Sequence, residues 1–312
     1  MNESHWAQRR ERGSLFWMRL SLRLTRLLGR RLMAPVLYAV VLYFFATGRS
    51  ARASIREYYT NLTVFSGRPA HKISSSQLFC HFMVFADSIL DKFDVLHGKL
   101  TPAELDIDDP HGVLVSAHDR SGRGQILVGA HLGNLEVCRA LAEAGRRVRM
   151  NVLVHTAHAE KINRLLDEQG ASNLNLIQVS QLDAAAMLRL SEGIERGEWL
   201  AIAGDRIPLN DRRRCKVDFL GQPAWFAQGP WLLAGLLECP VNLFFCLKLD
   251  GRYRICVEPF AERIQWQRSN REQVLQEAAQ RYAGRLEQRC LQAPQQWFNF
   301  YPFWNTDEQQ TP

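Results

Sequence analysis

Residues 124–138 read Gly-Gln-Ile-Leu-Val-Gly-Ala-His-Leu-Gly-Asn-Leu-Glu-Val-Cys. Residues 125–130 are a short apolar run bounded by glycine, the pattern of a buried strand. Asn134 is a favoured N-cap residue, and the apolar spacing of residues 135–144 is helical. The stretch therefore predicts strand, turn and helix, with His131 in the turn and Glu136 in the first helical turn. In α/β sheets this carboxyl end of the strands is where ligands bind. A carboxylate that accepts one imidazole N–H leaves the other ring nitrogen to take a proton, so His131 held by Glu136 is a candidate general base. The same spacing also suits a His131 that closes a turn and a Glu136 that complements the helix dipole. The residues by themselves leave both readings open.

Outward from this stretch, apolar runs alternate with helical periodicity. Residues 148–155 read as strand, 159–169 as helix, 174–179 as strand, 182–195 as helix and Trp199–Ala203 as strand. Such alternation predicts an α/β fold with a largely parallel sheet flanked by helices. Val241–Leu249 and residues 252–258, joined by Asp250-Gly251, have the pattern of a hairpin, which makes the sheet mixed. Arg271–Gln292 predicts a helix that packs outside it. Residues 106–111, 122–124 and 221–224 carry turn chemistry, and Gly229-Pro230 opens a helix with proline in its first turn. Residues 50–99 read as helical throughout, with Ile55, Tyr58, Tyr59 and Leu62, then Leu78, Phe82, Phe85 and Ile89, at helical spacing and expected in the core.

A second chemical cluster follows the strand Trp199–Ala203. Gly204-Asp205-Arg206 sits at a strand's carboxyl end and is expected to open onto the same edge as His131. Arg206 offers a planar fork of donors suited to an oxyanion, a phosphate or a carboxylate. Asp205 and Asn134 join it as candidate binding residues. Asp211-Arg212-Arg213-Arg214 forms a local basic patch, either a solvated loop or a contact for lipid phosphate or an acidic carrier protein.

The chain has 312 residues and a formal net charge of +7. Residues 1–31 carry eight arginines against Glu3 and Glu11, so the remainder is near neutral. A basic tail on a neutral body suits an anionic membrane met at one edge and argues against nucleic acid. Within residues 15–31, Arg19, Arg23, Arg26 and Arg30 form one helical stripe opposite Trp17, Leu20, Leu24, Leu27 and Leu28, the signature of an interfacial helix. Residues 32–47 follow without a charge; they are shorter than the roughly 20 residues of a comfortable span. The division expected is a membrane-attachment segment over 1–49, a helical segment over 50–100 that packs on the body, and an α/β body over 101–312. The seven cysteines form no CxxC and fall mostly in apolar runs, as buried free thiols do. No histidine spacing closes a metal site, and the chemistry calls for no cofactor.

Three blocks together resemble a family. His131-Leu132-Gly133-Asn134-Leu135-Glu136 is similar to the His-x4-Glu/Asp motif of the lysophospholipid acyltransferase superfamily, above all its bacterial lipid A late acyltransferase branch. Val217-Asp218-Phe219-Leu220-Gly221-Gln222-Pro223-Ala224, with Gly229-Pro230 after it, resembles that branch's central block, and Pro294-Gln295-Gln296-Trp297-Phe298-Asn299-Phe300 its C-terminal one. Ala130 stands where the branch usually has Asn, and Leu135 where it usually has an aromatic residue. The resemblance implies acyl transfer from an acyl thioester, acyl-carrier protein or acyl-CoA, to a hydroxyl or amine of a lipid or glycolipid. His131 is then the base, Glu136 the residue that orients it, and Arg206 the candidate for the oxyanion or a donor phosphate. It also implies a place at the bacterial inner membrane, with the catalytic body on the cytoplasmic side. Two other classes fit the residues: a hydrolase or thioesterase that uses the same pair on water, and a non-catalytic membrane-binding module. The absence of Gly-x-Ser-x-Gly disfavours a serine hydrolase.

Overall fold

A computed structural model of the chain describes residues 34–69, 71–96, 105–114, 122–134, 148–154, 174–207 and 213–304. Its helices are α1 (Ala34–Thr47), α2 (Arg49–Phe65), α3 (Ser75–Leu96), α4 (Ala184–Glu195), α5 (Gly229–Leu237) and α6 (Arg271–Gln292). Its strands are β1 (Leu105–Asp108), β2 (Ile126–Gly129), β3 (Met150–Val154), β4 (Leu174–Gln178), β5 (Trp199–Ala203), β6 (Arg214–Phe219), β7 (Gln222–Ala227), β8 (Val241–Leu249) and β9 (Arg252–Ala261).

Seven strands form one sheet in the order β1-β9-β8-β2-β5-β3-β4, and β6 pairs with β7 in a separate ribbon. All pairings in the large sheet are parallel except β8 with β9. The chain is thus the mixed, mostly parallel α/β sheet that the alternation predicts. β2 lies near its middle and is buried at all four positions, because a central parallel strand is covered on both faces. Ile126 and Val128 enter one core layer beneath α5 and α6, and Leu127 enters the other with Phe244 and Ile255. α6 buries Leu275, Ala278, Ala279, Tyr282, Ala283, Leu286 and Cys290, a stripe at helical spacing.

Three expectations need correction. Residues 106–108, expected as part of a turn, belong to the edge strand β1, which pairs in parallel with β9. Only Leu105 is buried there, so two aspartates in the exposed positions give a strand the look of a loop. The turn expected over residues 221–224 is instead Leu220-Gly221, with φ of 53° and 73°. Both values suit a type I′ hairpin turn. Gln222, Pro223 and Ala224 continue as strand, with Pro223 opposite Asp218 in a two-stranded ribbon where proline is tolerated. Residues 50–99 do not form one helix: α2 ends at Phe65, Gly67 takes a φ of 73°, and α3 restarts where Ser74 Oγ accepts the Gln77 N–H at 3.1 Å. Ile55, Tyr58, Tyr59, Leu62, Leu78 and Phe82 are buried as expected, whereas Ile89 is exposed.

α1 and α2 meet at an 87° bend around Gly48. The helices expected over 15–31, 135–144 and 159–169 lie outside the described residues, as does the Arg19/23/26/30 stripe. Among the described residues, no single helix is long and apolar enough to cross a membrane; the bent pair α1 and α2 meets that test jointly.

Candidate active site

Strand register brings the two predicted clusters together. Gly129 of β2 pairs with Ala203 of β5, and the Gly204 N–H donates to Gly129 O at 2.9 Å. His131 and Asp205 are each two residues beyond that pair, so the two strands deliver them side by side. The Asp205 carboxylate then receives His131 twice. Its Oδ1 lies 2.8 Å from His131 Nδ1, and its Oδ2 accepts the His131 backbone N–H at 2.9 Å. A third donor arrives from the C-terminal segment: Trp297 Nε1 donates to Oδ2 at 3.1 Å. The Asp205 side chain is 2% exposed and that of His131 34%, an imidazole reachable from solvent over a carboxylate that is not.

The backbone around His131 is held just as tightly. Phe298 N–H donates to His131 O at 2.8 Å, Gly133 N–H to Gln296 O at 2.8 Å, and Asn134 N–H to Cys246 O at 2.9 Å. The turn therefore lies between the end of β8 and the segment 296–298. Gly133 has a φ of 73°, and a Cβ on it would sit 1.9 Å from Cys246 O, so no other residue fits. Behind the turn, Tyr282 of α6 donates to Gly129 O at 2.6 Å.

Burial pushes the Asp205 carboxyl upward, but the His131 charge and hydrogen bonds, with the Arg206 charge, outweigh it and hold Asp205 below its ordinary value. An ionised Asp205 accepts from Nδ1 and so places the proton there. The other ring nitrogen, Nε2, is then the basic one.

The structure sorts the predicted residues as follows. His131, Asp205 and Arg206 share the carboxyl edge of β2 and β5. Arg206 Nη2 donates to Phe298 O at 3.1 Å, and its guanidinium lies 5.8 Å from the Tyr301 ring centroid, so it also braces the C-terminal segment. The Asn134 side chain goes elsewhere, donating through Nδ2 to Ser88 O at 3.0 Å and to Tyr253 Oη at 3.3 Å. Glu136 lies outside the described residues; among the described residues, Asp205 is the carboxylate set against Nδ1. Trp297 is the residue that reading for chemistry passed over. An indole is ordinarily core, and its signal was only its place in the Pro294–Phe300 block.

Residues 108–306, more than half of the chain, match the family described as bacterial lipid A biosynthesis acyltransferase. Among curated proteins, none matches the chain significantly.

Proposed function

The chain belongs to the bacterial lipid A biosynthesis acyltransferase family, and from that premise we propose that it transfers a fatty acyl chain from acyl-carrier protein to a hydroxyl or amine of a membrane glycolipid, with His131 as general base. That the protein is an acyltransferase, with an acyl donor and a lipid acceptor, follows from the family itself. The finer reading rests on one observation above the others: the 2.8 Å contact between His131 Nδ1 and a buried Asp205 that has two further donors on its other oxygen.

Nε2 of His131 takes the proton from the acceptor as its oxygen or nitrogen attacks the thioester carbon. Asp205 orients the ring and stabilises the imidazolium that results, the role that the family resemblance implies for Glu136. The tetrahedral intermediate collapses with loss of thiolate, which receives the proton back from Nε2. No enzyme nucleophile is required, since the acceptor attacks directly. Arg206 supplies charge for the thioester oxyanion or for a donor phosphate.

α1 supports attachment to the membrane. Ala34–Thr47 contains no charged residue; its stripe Leu37, Val41 and Phe45 packs inward, and the Tyr38 ring meets Phe79 at 5.2 Å. Phe45 meets Phe79 and Phe82 edge-on at 5.4 and 5.5 Å. Val36, Val40, Leu42, Tyr43 and Phe44 face outward, an apolar face that in water would stay unburied and in a lipid interface would not. Arg52 closes the carboxyl end of α1 by donating to Phe45 O and Ala46 O. We place this corner at the cytoplasmic face of the inner membrane.

The test is acyl transfer by purified protein in vesicles of bacterial lipid, supplied with acyl-carrier-protein or CoA thioesters and read by lipid mass spectrometry. His131→Ala should lose roughly 10²–10⁴-fold in turnover, the usual worth of a positioned general base. A folded His131→Ala protein with wild-type turnover would remove the general-base reading.

A further inference from the structure

A second buried carboxylate is held from β8 and β9, on the side of β2 away from β5. Asp91, on α3, is 4% exposed. Its Oδ2 accepts the Tyr253 hydroxyl of β9 at 2.5 Å and the Lys248 ammonium of β8 at 2.7 Å. Tyr253 Oη in turn accepts from Asn134 Nδ2, which also donates to Ser88 O on the same face of α3. Asn134 is the third residue after His131. Three donors and acceptors thus run in one direction, from the Asn134 amide through the Tyr253 hydroxyl to the Asp91 charge. A charged terminus orders such a chain: the hydroxyl turns its hydrogen to the carboxylate and its lone pairs to the amide. With both amide hydrogens committed, the way the Asn134 side chain faces is set.

Lys248 is bound into the same turn by a separate route. The Gln296 side chain accepts the Lys248 N–H at 2.9 Å and donates to Lys248 O at 2.8 Å. The Gln296 main-chain oxygen meanwhile accepts the Gly133 N–H. The Asp91 cluster and the His131 turn are therefore parts of one rigid arrangement.

We propose that Asp91 is a positioning residue of the acyl-transfer site, which acts through Tyr253 and Asn134 to fix the turn that carries His131. α3 then belongs to the catalytic machinery as well as to the N-terminal helices. The Tyr253 hydroxyl satisfies a lone pair of the buried carboxylate and at the same time receives the Asn134 amide, so it ties the ion pair to the turn. The inference rests on His131 being the general base, and its test keeps the two apart.

Turnover and KM are measured for Asp91→Asn, Tyr253→Phe and the double variant, with His131→Ala as reference and the folded fraction of each matched by thermal melting. Each single variant should lower kcat by roughly 10- to 100-fold, the scale of a small misplacement at a reacting centre. KM for the thioester should stay within about twofold, because no substrate contact is removed. The double variant should be no slower than the slower single, since both break one chain. Lys248→Met leaves the chain from Asn134 to Asp91 intact, so its loss should fall on melting temperature more than on kcat. Wild-type kcat in folded Tyr253→Phe, beside an inactive His131→Ala, overturns the role of Asp91 and leaves the general base standing. Effects of Asp91→Asn and Tyr253→Phe that multiply in the double variant overturn it too. An active His131→Ala overturns the reading beneath.

Discussion

Asp205→Asn removes one charge at nearly constant volume, and the geometry dictates how the amide must sit. Three donors converge on the carboxylate: the His131 ring at Oδ1, and the His131 N–H and Trp297 Nε1–H at Oδ2. An amide offers one acceptor oxygen and two donor hydrogens. With its oxygen at the Oδ2 position, the amide satisfies both N–H groups but turns its NH2 toward Nδ1. The opposite flip sets NH2 against two buried donors, at about 1–3 kcal/mol for each one left unpaired. The first orientation therefore wins, and Nδ1 must become an acceptor. The ring proton moves to Nε2, and the lone pair needed for proton abstraction is gone. A loss on the order of 10⁴ in kcat is expected, the scale for a general-base histidine held in the wrong tautomer. That corresponds to about 5 kcal/mol of transition-state stabilisation. Stability should respond in a different pH range. The folded Asp205 carboxyl lies below its ordinary value, so its contribution is fully present above about pH 3.9 and is lost as pH falls through the folded value. The variant should lack that acid-limb loss. Initial rates in vesicles give kcat, and nitrogen NMR of the His131 ring gives the tautomer. A folded Asp205→Asn protein with wild-type kcat, or one that keeps the proton on Nδ1, would refute the reasoning.

Two further outcomes are expected. His81 is fully buried on α3 with Nδ1 3.2 Å from Tyr59 Oη; burial lowers its pKa to about 4, with the Trp297 backbone offsetting part of that. A lowered histidine favours the fold above its unfolded pKa of about 6.5 and loses that contribution as pH falls toward the folded value, here on the order of 3 kcal/mol. Melting curves between pH 7 and 4.5 should fall more steeply for wild type than for His81→Phe, and parallel curves would sink the idea. On α1, Val40 and Tyr43 are exposed, so Val40→Glu with Tyr43→Glu should leave the body folded. Each apolar side chain contributes about 1.5–3 kcal/mol when buried, so flotation with vesicles should weaken more than tenfold; unchanged flotation would exclude α1 as a lipid contact.

The sequence by itself determined what depends on neighbours along the chain. β2 and β5 announce themselves as short apolar runs, Asp250-Gly251 as a hairpin turn, and α6 as an amphipathic stripe, because burial imposes a period that a few consecutive residues display. The same local signals marked His131, Asp205 and Arg206 as the ends of strands. Edge elements were harder to read: β1 shows a single buried residue, and β7 contains a proline that a central strand would exclude. Only the tertiary structure brought Asp205 to the histidine. Asp205 is 74 residues from His131, and the register of β2 on β5 makes them neighbours, a register fixed by the summed packing of a sheet and not by any local motif. Trp297 comes from 92 residues beyond Asp205 on a segment whose regular pairing in the described structure is the Leu132 bridge. Its indole N–H is in the site because the C-terminal segment must lie against the His131 turn to satisfy that turn's backbone. Hydrogen-bond needs of this kind are met in space, and a sequence records only that the residues able to meet them are present.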